Sequence, residues 1–217
     1  TRSDRDWSSD VCSSDLEAKE KNSLRVAAVY GYFPCRAEGD ELLLFESADT
    51  AQPAAKLTFA RQKDRNGLCL SDYFASGQSD ATDICALQLV SVSEEAVSSR
   101  EAEMATGEYS RAVYLRGLAA QSTEAAAEWL TRRIRHELMI HESRGQRFSP
   151  GYSSFPDLEN QKQFFKLLEP GRIGVELSAA NLMTPEESSS ALFVHHPQVQ
   201  YFGVAREDQW GSSIKIK

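Results

Sequence analysis

The ten residues Asp83-Ile-Cys-Ala-Leu-Gln-Leu-Val-Ser-Val92 constrain the fold more than any other stretch. They are almost continuously apolar or small, so a strand here must be covered on both faces and flanked by other strands. The sequence before it supplies candidates. Leu24, Val26, Ala28 and Tyr30 alternate as the buried face of one strand, which Gly31 and Pro34 should end. Ala37-Glu38-Gly39-Asp40 is a turn into a second strand over residues 41–45. A short third strand, bearing Leu57 and Phe59, is expected over 56–60, and Asp64-Arg65-Asn66-Gly67 signals another turn.

After the central strand the period becomes helical. Glu94 and Glu95 suit a helix start, where negative charge meets the positive end of the dipole. Gly107 should divide the run into two helices, the second over residues 108–141. Ala126, Leu130, Ile134 and Leu138 form its apolar stripe, extended by Tyr109, Val113 and Trp129. Gly117 and Ser122-Thr123 weaken its middle, where a kink is expected. Asp157 is a natural N-cap for a further helix reaching Leu168, with Leu158, Phe165 and Leu168 on one face. Pro170-Gly171 closes that helix, and strands are expected at 172–181, 191–195 and 199–205, the last two joined at His196-Pro197. Strands, then long helices, then strands imply an α+β single domain: a mainly antiparallel twisted sheet with long helices packed on it.

Composition narrows the function classes. With 217 residues, 41% hydrophobic and 26% charged, the chain can bury one real core. No apolar run approaches the ~20 residues of a membrane span, and the polar, acidic start is not a secretory signal. A cytoplasmic protein without a membrane partner is expected. The net charge of −8 argues against a nucleic-acid partner. Residues 6–16 read as one frame of a common sequencing-library adapter, so residues 1–16 are expected to be an artefact and disordered. The folded domain is then 17–217, truncated at its N-terminus. Cys35, Cys69 and Cys85 are odd in number and widely spaced, which favours reduced, buried thiols over a zinc site or disulfide framework. His136 and His141 do not stack on one helix face, and His195 and His196 fall on opposite faces of a strand, so no metal site is indicated. Gly-x-Ser-x-Gly, Gly-x-Gly-x-x-Gly and phosphate-loop motifs do not occur.

Residues 145–156 combine one arginine, two prolines, two glycines and three aromatic rings. The prolines exclude a helix, Gly151 permits close backbone approach, and Arg147 offers a planar donor fork suited to a carboxylate. Residue types alone describe a stiff connecting loop. Arg147-x-x-Pro-Gly-Tyr152, followed by Pro156-Asp157 and an amphipathic helix, resembles the activation domain of cobalamin-dependent methionine synthase. Gly31-Tyr32-Phe33-Pro34, Gly39-Asp40-Glu41, Arg61-Gln62 and Leu70-Ser71-Asp72-Tyr73-Phe74 resemble that family's earlier pieces. Met183-x-Pro185, Ser188-Ser189-Ser190, His196-Pro197 and Tyr201-Phe202-Gly203-Val204-Ala205 follow in the family's order, so the resemblance runs from about Ser23 to Arg206.

The resemblance implies a module of a methyltransferase that binds S-adenosylmethionine and supports reductive methylation of cob(II)alamin to methylcobalamin. The fragment by itself is not expected to make methionine. It implies ligand-binding roles for Glu124, Arg147, Ser149, Gly151, Tyr152, Tyr201 and Phe202, and no catalytic side chain. Arg147 would meet the carboxylate, Tyr152 would lie near methyl donor and corrin, and Ser149 would act through its backbone. An exposed helical glutamate such as Glu124 is otherwise simply solvated. Gln121 stands where the family has an arginine, and Phe202 replaces a second tyrosine. Cobalamin would be bound mainly by another domain, in cis or trans, since Asp-x-His-x-x-Gly is absent. A flavodoxin-like electron donor is the other implied partner. A stand-alone partner reactivating a separate corrinoid protein, or a docking module that has lost its ligand, are the rival readings.

Overall fold

The computed structural model describes residues 24–63, 67–76 and 82–204; residues 1–16, expected to be an adapter artefact, and most of the 64–67 turn lie outside these. The chain divides into two compact units, one of residues 1–29, 89–130 and 170–189, the other of residues 30–88, 131–169 and 190–217. Its strands are β1 (Val26–Glu38), β2 (Glu41–Leu44), β3 (Ala55–Thr58), β4 (Asp83–Val92), β5 (Gln146–Phe148), β6 (Glu176–Leu177), β7 (Met183–Thr184) and β8 (Ser189–Val194). The helices are α1 (Glu94–Ala105), α2 (Tyr109–Glu137) and α3 (Gln161–Leu168). Strands β3-β2-β1-β4-β8-β5 form one sheet and β6-β7 a small second one. The architecture is α+β with a mostly antiparallel sheet, and β4 is an interior strand buried at every residue from 85 to 92, as its composition requires.

In the second unit, β1 continues through Gly31 and Pro34 rather than ending there. Pairing of β1 with β2 begins at Cys35↔Leu44, and the Pro34 carbonyl accepts Phe45 N–H at 2.9 Å. Proline has no N–H to return, so it ends the ladder instead of the strand. Gly39, at φ 60°, makes the turn into β2. The outer edge of β3 is covered by a side chain: Asn160 Oδ1 accepts Thr58 N–H at 2.8 Å, and its Nδ2 donates to the Thr58 carbonyl at 3.0 Å. One amide thereby satisfies an edge that would otherwise be open to another strand. The core joins Leu42, Leu44, Leu57 and Leu70 to Phe155, Phe164 and Phe193, all fully buried, with Phe59 4.9 Å from Phe155 between centroids. Cys35, Cys69 and Cys85 are free and buried. The Cys35 thiol is pushed well up by its hydrogen bond with Cys85, then by burial, so it stays protonated.

Asp157 caps the third helical segment as expected, accepting Glu159 N–H at 2.9 Å, although the first turn is 3₁₀ (Leu158–Asn160) before α3 begins. Phe164, not Phe165, faces the core beside Leu168. Glu169, in the left-handed region at φ 49°, ends the helix.

In the first unit, Gly107 separates α1 from α2 at φ 83°, and α2 runs unbroken through Gly117 where a kink was expected. Leu130 and Ile134 of the expected stripe are buried, but its extension by larger residues is not. Tyr109, Val113 and Trp129 are exposed, while Ala112, Ala119, Thr123, Ala127 and Leu130 are buried. Residues 172–181 are not a strand: a 3₁₀ turn, Pro170–Ile173, leads to the two-residue β6. Buried Glu187 pairs with Arg100, Glu186 with Arg116 at 2.7 Å, and Ser188 Oγ meets Ser91 Oγ at 2.8 Å. The Thr184–Pro185 peptide is cis.

Candidate functional site

The proline-rich stretch begins as a strand, which its residue types did not indicate. β5 pairs antiparallel with β8, Arg147 opposite Phe193 and Phe148 opposite Leu192, and forms one edge of the sheet. Gly145 makes this approach possible. It sits at φ 83°, and a Cβ there would collide with the Phe193 ring and lie 2.9 Å from the Val194 carbonyl oxygen. Strand alternation then puts Phe148 into the core, at 1% exposure, and Arg147 on the opposite face.

Beyond β5 the chain folds back in a tight turn. Tyr152 N–H donates to the Ser149 carbonyl at 3.3 Å, Phe155 N–H to the Tyr152 carbonyl at 2.9 Å, and Gly151 N–H to the Phe155 carbonyl at 2.8 Å. Gly151 has φ 93°, and a Cβ there would come within 3.1 Å of Leu158 Cδ2. The turn exposes Tyr152, at 62%, and buries Phe155.

A strand was expected over 199–205; residues 199–204 belong to none, and residue 205 lies outside the described residues. They are held to the loop by other means. Ser154 Oγ donates to the Phe202 carbonyl and accepts Phe202 N–H at 3.2 Å. Val204 N–H donates to the Ser153 carbonyl at 3.0 Å, and Gln62 Nε2 donates to the Gly203 carbonyl at 2.8 Å. Ser153 Oγ lies 3.0 Å from the Tyr201 hydroxyl. The Tyr201 ring is parallel to that of Phe148 within 2°, centroids 6.0 Å apart, and Tyr201 is half exposed.

The structure therefore brings Tyr201 and Phe202 together with the loop carrying Arg147, Ser149, Gly151 and Tyr152. Tyr201 and Phe202 are not equivalent: Phe202 is buried near Tyr73, centroids 6.4 Å apart, while Tyr201 presents its ring. Glu124 is exposed on α2 and belongs to the other unit. Sequence reasoning missed Phe148, Ser153 and Ser154. A Ser-Ser pair after Tyr152 looks like any turn, and Phe148 like any loop aromatic. Gln62 and Asp72 were noted only as parts of resembling motifs.

Those motifs converge on one clamp. Arg61 Nε donates to Asp40 at 2.7 Å, and its two terminal nitrogens take both Asp72 oxygens at 2.8 and 2.9 Å. Its Nη1 also donates to the Gly67 carbonyl at 2.8 Å. The Asp72 hydrogen bonds, first among the causes, raise the Arg61 pKa further. Burial alone would raise the Asp72 carboxyl, but Arg61 and the Cys69 N–H outweigh it and hold it below its usual range. The clamp lies beside the tail anchor, because Gln62 follows Arg61 directly. Among the described residues no group of His, Cys, Asp or Glu forms a metal site, and no helix is long and apolar enough to cross a membrane.

The family described as the activation domain of vitamin B12 dependent methionine synthase matches residues 13–212. Methionine synthase of Mycobacterium tuberculosis (strain ATCC 25618 / H37Rv) is 34% identical over 82% of this chain, and that of Mycobacterium leprae (strain TN) 32% identical over 82%. The chain spans 17% of the length of those two relatives. The crystal structure of the MetH reactivation domain bound to AdoHcy shares the fold, with a TM-score of 0.84 and 24% identity over 91% of this chain and 67% of that one. Motif order, fold and family match agree: the chain belongs to the family of vitamin B12 dependent methionine synthase activation domains.

Proposed function

We propose that this chain is the S-adenosylmethionine-binding reactivation module of a cobalamin-dependent methionine synthase. One observation carries the reading: the loop bearing Arg147 and Tyr152 is tied to the tail bearing Tyr201 by direct hydrogen bonds. That supports a site in which a carboxylate-binding fork and an exposed phenol on the loop lie beside a half-exposed tyrosine on a second segment. The residues suit the ligand. Arg147 would hold the carboxylate, Gly151 would let backbone approach without a Cβ, and Ser149 would contribute its main chain. Tyr201 would support the flat base, with Phe202 anchoring the tail beneath it.

With S-adenosylmethionine bound, its sulfonium would supply a methyl group to a corrin that would be held mainly by another domain, in cis or trans, and reduced by one electron from a flavodoxin-like donor. What remains for these residues is positioning. They fix the nucleoside by its two ends and leave the sulfonium between, so that methyl and acceptor meet in line. No proton transfer is required of any side chain.

Calorimetric titration of the 217-residue chain with S-adenosylmethionine tests the reading. Binding is expected, and Arg147→Ala should weaken it by about 1.5–3 kcal/mol, the range for a lost hydrogen bond to a charged group. Absence of heat with the wild-type chain overturns the ligand; unchanged affinity in the variant removes Arg147 from the site.

A further inference from the structure

We propose that Ser153 is a positioning residue for the nucleoside, its hydroxyl setting the tilt of the Tyr201 ring on which the ligand's base rests. This inference depends on the sulfonium-nucleoside reading above. The neighbouring serines have separate tasks. Ser154 uses its hydroxyl on the Phe202 backbone, donating to the carbonyl and accepting from the N–H. Ser153 already fastens the tail through its own carbonyl, which accepts Val204 N–H at 3.0 Å. Its hydroxyl is thus not needed to close loop against tail, and it reaches the Tyr201 phenol instead, at 3.0 Å.

A tyrosine ring turns about two side-chain torsions. Here the ring lies parallel to buried Phe148 within 2°, and its hydroxyl is tied to Ser153. Stacking along the ring and a bond at its far end together leave one orientation, while Tyr201 as a residue stays half exposed. A pre-oriented aromatic surface avoids the ordering cost a mobile ring would incur on binding, and base–aromatic stacking depends on that orientation. Ser153 touches Tyr201 rather than ligand, so it acts through the ring.

The test uses the full chain and S-adenosylmethionine. Ser153→Ala should weaken calorimetric affinity about three- to tenfold, the span of one neutral hydrogen bond, and Ser153→Thr, which keeps the hydroxyl, should restore it. Tyr201→Phe should lower affinity similarly and non-additively with Ser153→Ala, whereas Arg147→Ala should add to it because it holds the other end. With ring-¹³C tyrosine, the Tyr201 signal, assigned by its loss in Tyr201→Phe, should move in Ser153→Ala and return in Ser153→Thr. Wild-type affinity in Ser153→Ala, with Arg147→Ala still weakened, overturns the positioning role and leaves the ligand reading intact. Failure of Ser153→Thr to rescue, or additivity with Tyr201→Phe, overturns it too. No binding by the wild-type chain removes both.

Discussion

At the Arg61 clamp one guanidinium meets two carboxylates and a carbonyl, whereas the bonds between loop and tail join hydroxyls, amides and carbonyls. Both lie in the same unit and Gln62 connects them in sequence. The clamp fixes its cation with opposite charge, so Arg61 has little left to offer a ligand. The loop–tail assembly is fastened instead by neutral groups, the Ser153 and Ser154 hydroxyls, the Gln62 amide and the backbone. Two neighbouring assemblies of one unit are thus held by different physics, charge in one and neutral hydrogen bonds in the other.

The largest effect should come from Gly145→Ala, which breaks the second assembly at its root. Left-handed backbone and a collision with Phe193 together should cost about 3 kcal/mol in denaturant unfolding, and the β5–β8 pairing should lose amide protection. Wild-type stability would mean that β5 does not need this approach. Arg61→Ala should cost less, about 2 kcal/mol, since a third of its side chain is open to solvent and screening discounts the charged bonds. Ligand affinity should survive in its folded fraction; a loss as large as that in Arg147→Ala would mean that the two assemblies are not separate.

The smallest effect is in pH. Asp72 has its folded-state pKa below the ordinary 3.8, so its contribution is whole above that value and lost as pH falls through the folded one. Asp83, hydrogen-bonded to His195 at 2.8 Å, is also lowered and adds to the same acid limb. Unfolding midpoints should therefore fall below about pH 4, and less steeply in Asp72→Asn. The neutral loop–tail bonds contribute no such slope. An identical acid limb in Asp72→Asn would show that the clamp's charge is not what the chain loses in acid.

Much of this was legible in the residues themselves. Asp83–Val92 appears with the predicted limits because near-continuous apolar sequence has no competing reading. Gly107 divides the helices because only a left-handed residue suits that break. On α2 the stripe holds at Leu130 and Ile134, but its extension to Tyr109, Val113 and Trp129 was misread because large apolar residues outweigh small ones in a periodicity argument, whereas Ala112, Ala119 and Ala127 are buried there. β5 was missed because three residues carry no period and acquire their strand character from β8. The tail was read as a strand since its residues favour one, but Ser154 and Gln62 take the backbone groups that a neighbouring strand would have used. Family resemblance singled out Arg147, Tyr152 and Tyr201 as candidates; only coordinates reveal how Ser153 and Ser154 join their segments.

The 48 residues separating Ser153 from Tyr201 have a consequence for biosynthesis. On the ribosome Arg147 and Tyr152 emerge well before the segment that completes their surroundings, and the nascent chain passes through all of β8 before that segment exists. A polypeptide released short of residue 201 would retain its arginine fork yet lack both the ring and the backbone clasp beside it.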